Sequence, residues 1–114
     1  MIASQNCLCH QPPFIASGYE IHMIGIDTTN GRFGEVKMLV CKSCKTSWLM
    51  YQVEYESIAR SGRWYRGIID SKDIKTIKPE TAEAYLEILP WYFLGGSFFD
   101  TMGKEGKGTL LLDI

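Results

Sequence analysis

Glu35-Val36-Lys37-Met38-Leu39-Val40-Cys41-Lys42-Ser43-Cys44 is the stretch on which the fold turns. Its first six residues alternate, with Val36, Met38 and Val40 on one side and Glu35, Lys37 and Leu39 on the other, the period-two pattern of a strand. The strand runs straight into Cys41-x-x-Cys44, and alternation resumes beyond it. Between Thr46 and Glu56, Trp48, Met50, Gln52, Glu54 and Glu56 share one side, and Leu49, Tyr51, Val53 and Tyr55 share the other. A close pair of cysteines therefore sits at the turn between two half-buried strands.

Toward the N-terminus, Thr28 to Gly34 contains Asn30-Gly31 and a second glycine, which supply the positive backbone dihedrals of a hairpin loop. Ahead of that loop, Tyr19 to Asp27 is rich in Ile, Met and Tyr and reads as a further strand. Residues 1–13 form an irregular arm that carries Cys7 and Cys9 and ends in Pro12-Pro13, a pair that enforces extended chain and forbids helix. Toward the C-terminus, Ser61-Gly62 marks a turn and Arg63 to Ile69 a fourth strand.

Pro79, with Glu80 beside it and Ala82, Tyr85, Leu86 and Leu89 at helical spacing, predicts one amphipathic helix over about 79–89 that stops at Pro90. Trp91 to Leu94 and Ser97 to Phe99 flank Gly95-Gly96 and read as short strands or a buried turn, most of their rings going to the core. Glycine-rich Met102 to Gly108 reads as a mobile loop, and Thr109 to Ile114 as a last short strand. The fold class expected is α+β: an antiparallel β-meander with a metal site at one end and one helix packed on the sheet. The 114 residues and an apolar fraction of 46% suit a single domain. Residues 1–56 make up its cysteine-bearing part, and residues 57–114 the fourth strand, the helix and the aromatic C-terminal segment.

The chemistry is concentrated in the cysteines. Zinc takes four ligands in a tetrahedron, and two sulfurs on a tight knuckle can both reach one ion. The predicted hairpin lies between Cys7-x-Cys9 and Cys41-x-x-Cys44 and brings its own ends together, so chain topology delivers both pairs to one place. Cys7, Cys9, Cys41 and Cys44 are the first choice of ligands; His10 in place of Cys9 is the alternative, since it restores a two-residue gap after Cys7. With every position filled by protein, such an ion has none left for substrate and acts as a structural Zn2+ staple, worth on the order of 10 kcal/mol in small zinc modules.

Over residues 7–56 the arrangement resembles the zinc-ribbon class, in which two cysteine pairs at the bases of β-hairpins clamp one ion; the first knuckle departs from that class by reading Cys-x-Cys-His. The spacing is also similar to the zinc redox switch of the bacterial redox-regulated chaperone of the heat-shock class, whose cysteines release zinc and form disulfides on oxidation. That likeness is confined to spacing, because the intervening segment here reads as a hairpin rather than helices. It implies a thiol redox switch as one alternative role.

A second constellation is Arg60, Arg63, Trp64 and Arg66, cations interleaved with an aromatic ring, with Lys37, Lys42 and Lys45 near the knuckle. Guanidinium groups bind phosphates while rings stack on bases, which makes a single-stranded nucleic acid the alternative partner. The competing reading places Trp64 in the core and pairs the arginines with Glu54, Glu56 or Asp70. The net charge of −1 supplies no global field toward nucleic acid or an anionic membrane. His22, with Glu20 on its own side, reads as a surface residue, and Glu80, Glu83 and Glu87 as a solvated helix face. No nucleophile stands beside a base, so the expectation is a non-catalytic, zinc-stabilised protein-interaction module rather than an enzyme. No apolar run approaches the roughly 18 residues of a membrane span, and the N-terminus lacks the features of a secretory signal. A cytoplasmic setting is expected, where thiols serve better as metal ligands than as disulfides.

Overall fold

The structure, a computed structural model, describes residues 7–113. Six strands pair in the order in which they occur: β1 (Tyr19–Asp27), β2 (Gly34–Cys41), β3 (Ser47–Val53), β4 (Arg63–Ile68), β5 (Tyr92–Gly96) and β6 (Thr101–Gly106) form one antiparallel meander. One short helix, α1 (Ala82–Glu87), packs on the sheet. The α+β meander expected from the alternation is the fold that forms. Asn30 and Gly31, at φ 58° and 76°, supply the left-handed corner of the β1–β2 hairpin.

The sheet is covered on both faces, and β3 shows why. Leu49, Tyr51 and Val53 point one way and are buried, while Trp48 points the other way and is equally buried. On the first face Leu49 and Tyr51 join Val36, Tyr65 and Tyr92 beneath Ala82 and Leu86 of α1, with Leu110 and Leu112 of the C-terminal segment beside them. On the second face Leu39, Trp48 and Phe93 pack with Tyr19, Cys9 and Cys41, and Phe14 of the arm covers them. Cross-strand register aligns these rows, Tyr51 opposite Tyr65 and Tyr65 opposite Leu94 on one side, Leu39 opposite Trp48 and Trp48 opposite Ile68 on the other.

A six-residue helix is too short to persist alone in water. α1 persists because Ala82 and Leu86, one turn apart, are both 0% exposed against the sheet. Gly67 makes room for it, since a Cβ there would strike the side chain of Leu89. Of the helix expected over 79–89, Pro79–Thr81 is a 3-10 turn, only Ala82–Glu87 is α-helical, and Ile88 is exposed. Two of its acids do more than face water: Glu83 reaches Arg32, and Glu87 accepts a hydrogen bond of 2.9 Å from the backbone N–H of Leu110.

Two expectations for the C-terminal part are corrected. Met102 to Gly108 is no loop, because Thr101–Gly106 forms β6 and pairs with β5, Phe93 facing Glu105 and Leu94 facing Lys104. The glycines that suggested mobility are there for close approach: a Cβ on Gly103 would come within 2.9 Å of Pro12, and one on Gly106 would run into Leu94. Conversely, residues 109–113 join no strand. Side chains satisfy their backbone instead: Arg63 and the Tyr65 hydroxyl donate to the Leu111 carbonyl, Tyr65 accepts from the Leu111 N–H, and Tyr55 donates to Leu112. Ile114 and residues 1–6 of the expected arm lie outside the described residues.

Candidate metal centre

Cys41 is the last residue of β2, and the chain turns back into β3 immediately after Cys44. Two hydrogen bonds close that turn, Lys45 N–H to the Cys41 carbonyl and Cys41 N–H to the Thr46 carbonyl, both 2.9 Å. Lys45 takes φ 66°, a left-handed conformation that costs a residue with a Cβ about 1–2 kcal/mol. The tight turn keeps both sulfurs on one side of it. The other two come from the arm, where a 3-10 turn at Leu8–His10, held by His10 N–H to the Cys7 carbonyl, presents Cys7 and Cys9. Lys42 N–H donates to the Gly18 carbonyl and ties the knuckle to the end of the arm.

All four sulfurs meet. Cys7 Sγ lies 3.5 Å from Cys41 Sγ, Cys9 Sγ lies 3.5 Å from Cys44 Sγ, and no two ligand atoms of the group are more than 4.8 Å apart. A tetrahedral ion with bonds of about 2.3 Å to sulfur sets its ligands about 3.8 Å apart, so the observed spread surrounds a single point. A disulfide needs about 2.05 Å, and all four cysteines are free thiols. Cys9 and Cys41 are buried, Cys7 and Cys44 half-buried.

The surroundings favour negative charge on sulfur. Burial pushes the Cys44 thiol up, but the Thr46 hydroxyl at 3.1 Å and the Thr46 backbone outweigh it and bring Cys44 down to about 6. Burial and the hydrogen bond with Cys44 push Cys9 the other way. The indole N–H of Trp48 is buried with no hydrogen-bond partner, and it favours a thiolate at Cys9. An orphaned donor next to sulfur is what an anionic thiolate cluster would satisfy, and the donor set fits a bound cation.

His10 stands outside the sulfur group. Its ring packs edge-on against Trp48 at 5.1 Å and near Trp91 at 6.3 Å, and burial together with the charge of Arg66 holds it below the usual histidine range. The Arg/aromatic constellation is not brought together as an exposed surface. Arg63 and Arg66 are each 2% exposed, on opposite faces of β4, and Trp64 is half-buried. Arg63 stacks on Phe98 and donates to the Leu111 carbonyl, while exposed Arg60 pairs with Asp100 at 3.3 Å rather than with Glu54, Glu56 or Asp70. Lys42 and Lys45 are exposed at the knuckle, Lys37 lies beside Glu35 at 3.6 Å, and His22 is exposed beside Glu20.

One polar cluster escaped the sequence reading. Arg32 in the β1–β2 loop is buried with Asp27 at 2.9 Å, Glu83 at 3.3 Å and Asp113 at 2.8 Å, and the Tyr51 hydroxyl donates to Asp27. It joins the hairpin loop, β3, α1 and the C-terminal segment. No spacing rule links residues so far apart in the chain, so only their common burial could reveal them. Among the described residues no helix is long and apolar enough to cross a membrane. Comparison of the chain with protein-family models, with curated proteins and with solved structures finds no match.

Proposed function

We propose that this chain is a small non-catalytic interaction module stapled by one structural zinc ion. The convergence of four sulfurs within 4.8 Å of one another carries the reading. An all-thiolate tetrahedral set selects soft or borderline cations, and zinc is the one that needs neither inorganic sulfide nor a redox partner. Four protein ligands leave no open position for water or substrate, so the ion's contribution is to folding.

What the ion would hold is the arm. Cys7 and Cys9 are its two ligands, Cys41 and Cys44 belong to the sheet, and the crosslink lays Cys9 and Phe14 on the second face, over Trp48 and Phe93. Around the arm Ile15, Ile21, Met23 and Met102 are more than half exposed. Exposed apolar and methionine side chains beside a rigidly held segment support contact with a protein partner.

Elemental analysis of purified protein tests the zinc reading, with one zinc per chain as the expected result. Chelation should then expose Trp48, now 0% accessible, and shift tryptophan emission to the red. Protein that contains no stoichiometric metal and is indifferent to a chelator would rule the reading out. Copurification of a defined protein partner, lost in Met102→Glu, tests the interaction role, and retention of such a partner by that variant would remove the assigned surface.

A further inference from the structure

Beyond the arm, on the face of the sheet opposite α1, lies an open groove of about 610 Å³. It is lined by Leu39, Met50 and Trp64 from the middle strands, by Phe14 from the arm, and by Ile21 and Met102 from the two edge strands. Because both edges of the sheet contribute, the sheet curls around the space instead of lying flat beneath it. Cavities of about 300–1,000 Å³ with mainly apolar walls and a few polar groups are the usual form of small-molecule sites.

The polar group in this one is Arg66. It belongs to the groove lining, yet it is only 2% exposed. Its guanidinium carbon lies 4.0 Å from the ring centre of Phe14, 4.4 Å from that of Trp48 and 4.7 Å from that of Tyr19. One hydrogen bond, 2.9 Å to the Tyr19 hydroxyl, is all it makes, and its Nε is buried without a partner. Among the described residues no carboxylate pairs with it. Arg32, just as buried, has three carboxylates. Stacked rings offset part of the cost of a buried cation but do not neutralise it. Asp100 is the groove's lone lining acid, and it is exposed and already paired with Arg60. Lys37 adds a second cation to the lining.

We propose that the groove binds a small apolar ligand bearing one carboxylate, an acyl-chain acid, with its chain along Leu39, Met50 and Trp64 and its carboxylate directed to Arg66. The site rests on the zinc reading to the extent that the metal holds the arm that places Phe14 on its wall.

Methionine-methyl NMR of the full chain, titrated with dodecanoate below its micelle concentration, tests the proposal. Met50 and Met102 line the groove, and Met38 packs on the opposite face as an internal control. The expected result is a saturable shift of the Met50 and Met102 methyls with Met38 unmoved, and binding of dodecanol about tenfold weaker or more. Arg66→Met should erase the preference for the acid. Should that variant lose the dispersed Met38 signal of folded protein, Met102→Glu, a change at a side chain 72% exposed, reads the same point by weakening dodecanoate but not dodecanol. No saturable shift would overturn the site. Equal binding of acid and alcohol would overturn the carboxylate assignment, and would mean that thiolates at Cys9 and Cys41 balance Arg66 within the fold. Zinc measured on the same sample separates the two failures: a zinc-loaded protein that binds nothing sinks the groove alone, and a zinc-free one sinks the metal reading.

Discussion

Asp27 and Arg32 meet with both side chains 2% exposed, so each depends on the other for its charge to be tolerated. Asp27→Ala should cost about 3 kcal/mol in urea denaturation, the low end for breaking a buried pair, because Asp113 and Glu83 still reach Arg32. The same cluster sets a pH dependence. Burial would raise Asp27, but hydrogen bonds from Thr29, Tyr51 and Arg32 hold it below the ordinary range, and Arg32 does the same to Asp113. A carboxyl depressed in the folded state adds stability that is complete above its unfolded value of about 3.9 and lost as pH falls through its folded value. The gap in urea midpoint between the natural chain and Asp113→Asn should therefore be full at neutral pH and narrow between about pH 5 and pH 3. At the metal, His10→Ala should keep stoichiometric zinc while Cys9→Ala loses it, with elemental analysis as the readout. Equal metal loss in the two would restore the histidine as a ligand. The cysteines were legible because spacing and chemistry travel together along the chain. Arg32 and Arg66 were not, because an arginine's burial depends on what other segments place over it.

Among the elements, the strands that alternate were the legible ones. β1 has the bounds its composition suggested, and β2 ends on the cysteine that the alternation ran into. β6 was missed because its residues, Thr-Met-Gly-Lys-Glu-Gly, have little strand preference, and it exists through backbone pairing with β5. Residues 109–113 show the converse: Leu110 and Leu112 alternate as in a strand, but their neighbours offer side-chain partners and no free edge. α1 rests on tertiary packing, so Leu86→Ala should cost about 2–5 kcal/mol by urea denaturation, with far-UV circular dichroism of the folded baseline nearly unchanged. A cost below about 1 kcal/mol would show that the helix contributes little to the core.

Across the whole molecule, the two faces of one sheet are covered by different means. The first is roofed by α1 and the C-terminal segment, the second by an arm that runs through a 3-10 turn and two prolines and owns no strand. An arm without ladder hydrogen bonds needs another anchor, and the sulfur cluster sits where it crosses the end of β2. Stripping the metal should loosen the second face first. Trypsin should then cut faster after Lys42 or Lys45, exposed in the knuckle, than after buried Arg66, as judged by mass spectrometry of early fragments. Simultaneous cutting at all three would mean that the fold unfolds as one unit.

The amino-acid order alone determined the period of the strands, the hairpin corner at Asn30-Gly31, the stop of the helix before Pro90 and the two cysteine pairs at the ends of one hairpin. All of these depend on neighbours within a few residues or on one short loop. Tertiary contact alone decided that both faces of the sheet are buried, that a glycine-rich segment becomes its sixth strand, and that Arg66 is enclosed by rings from three segments. Burial and charge balance are properties of the space around a side chain, and that space is filled by residues distant in sequence.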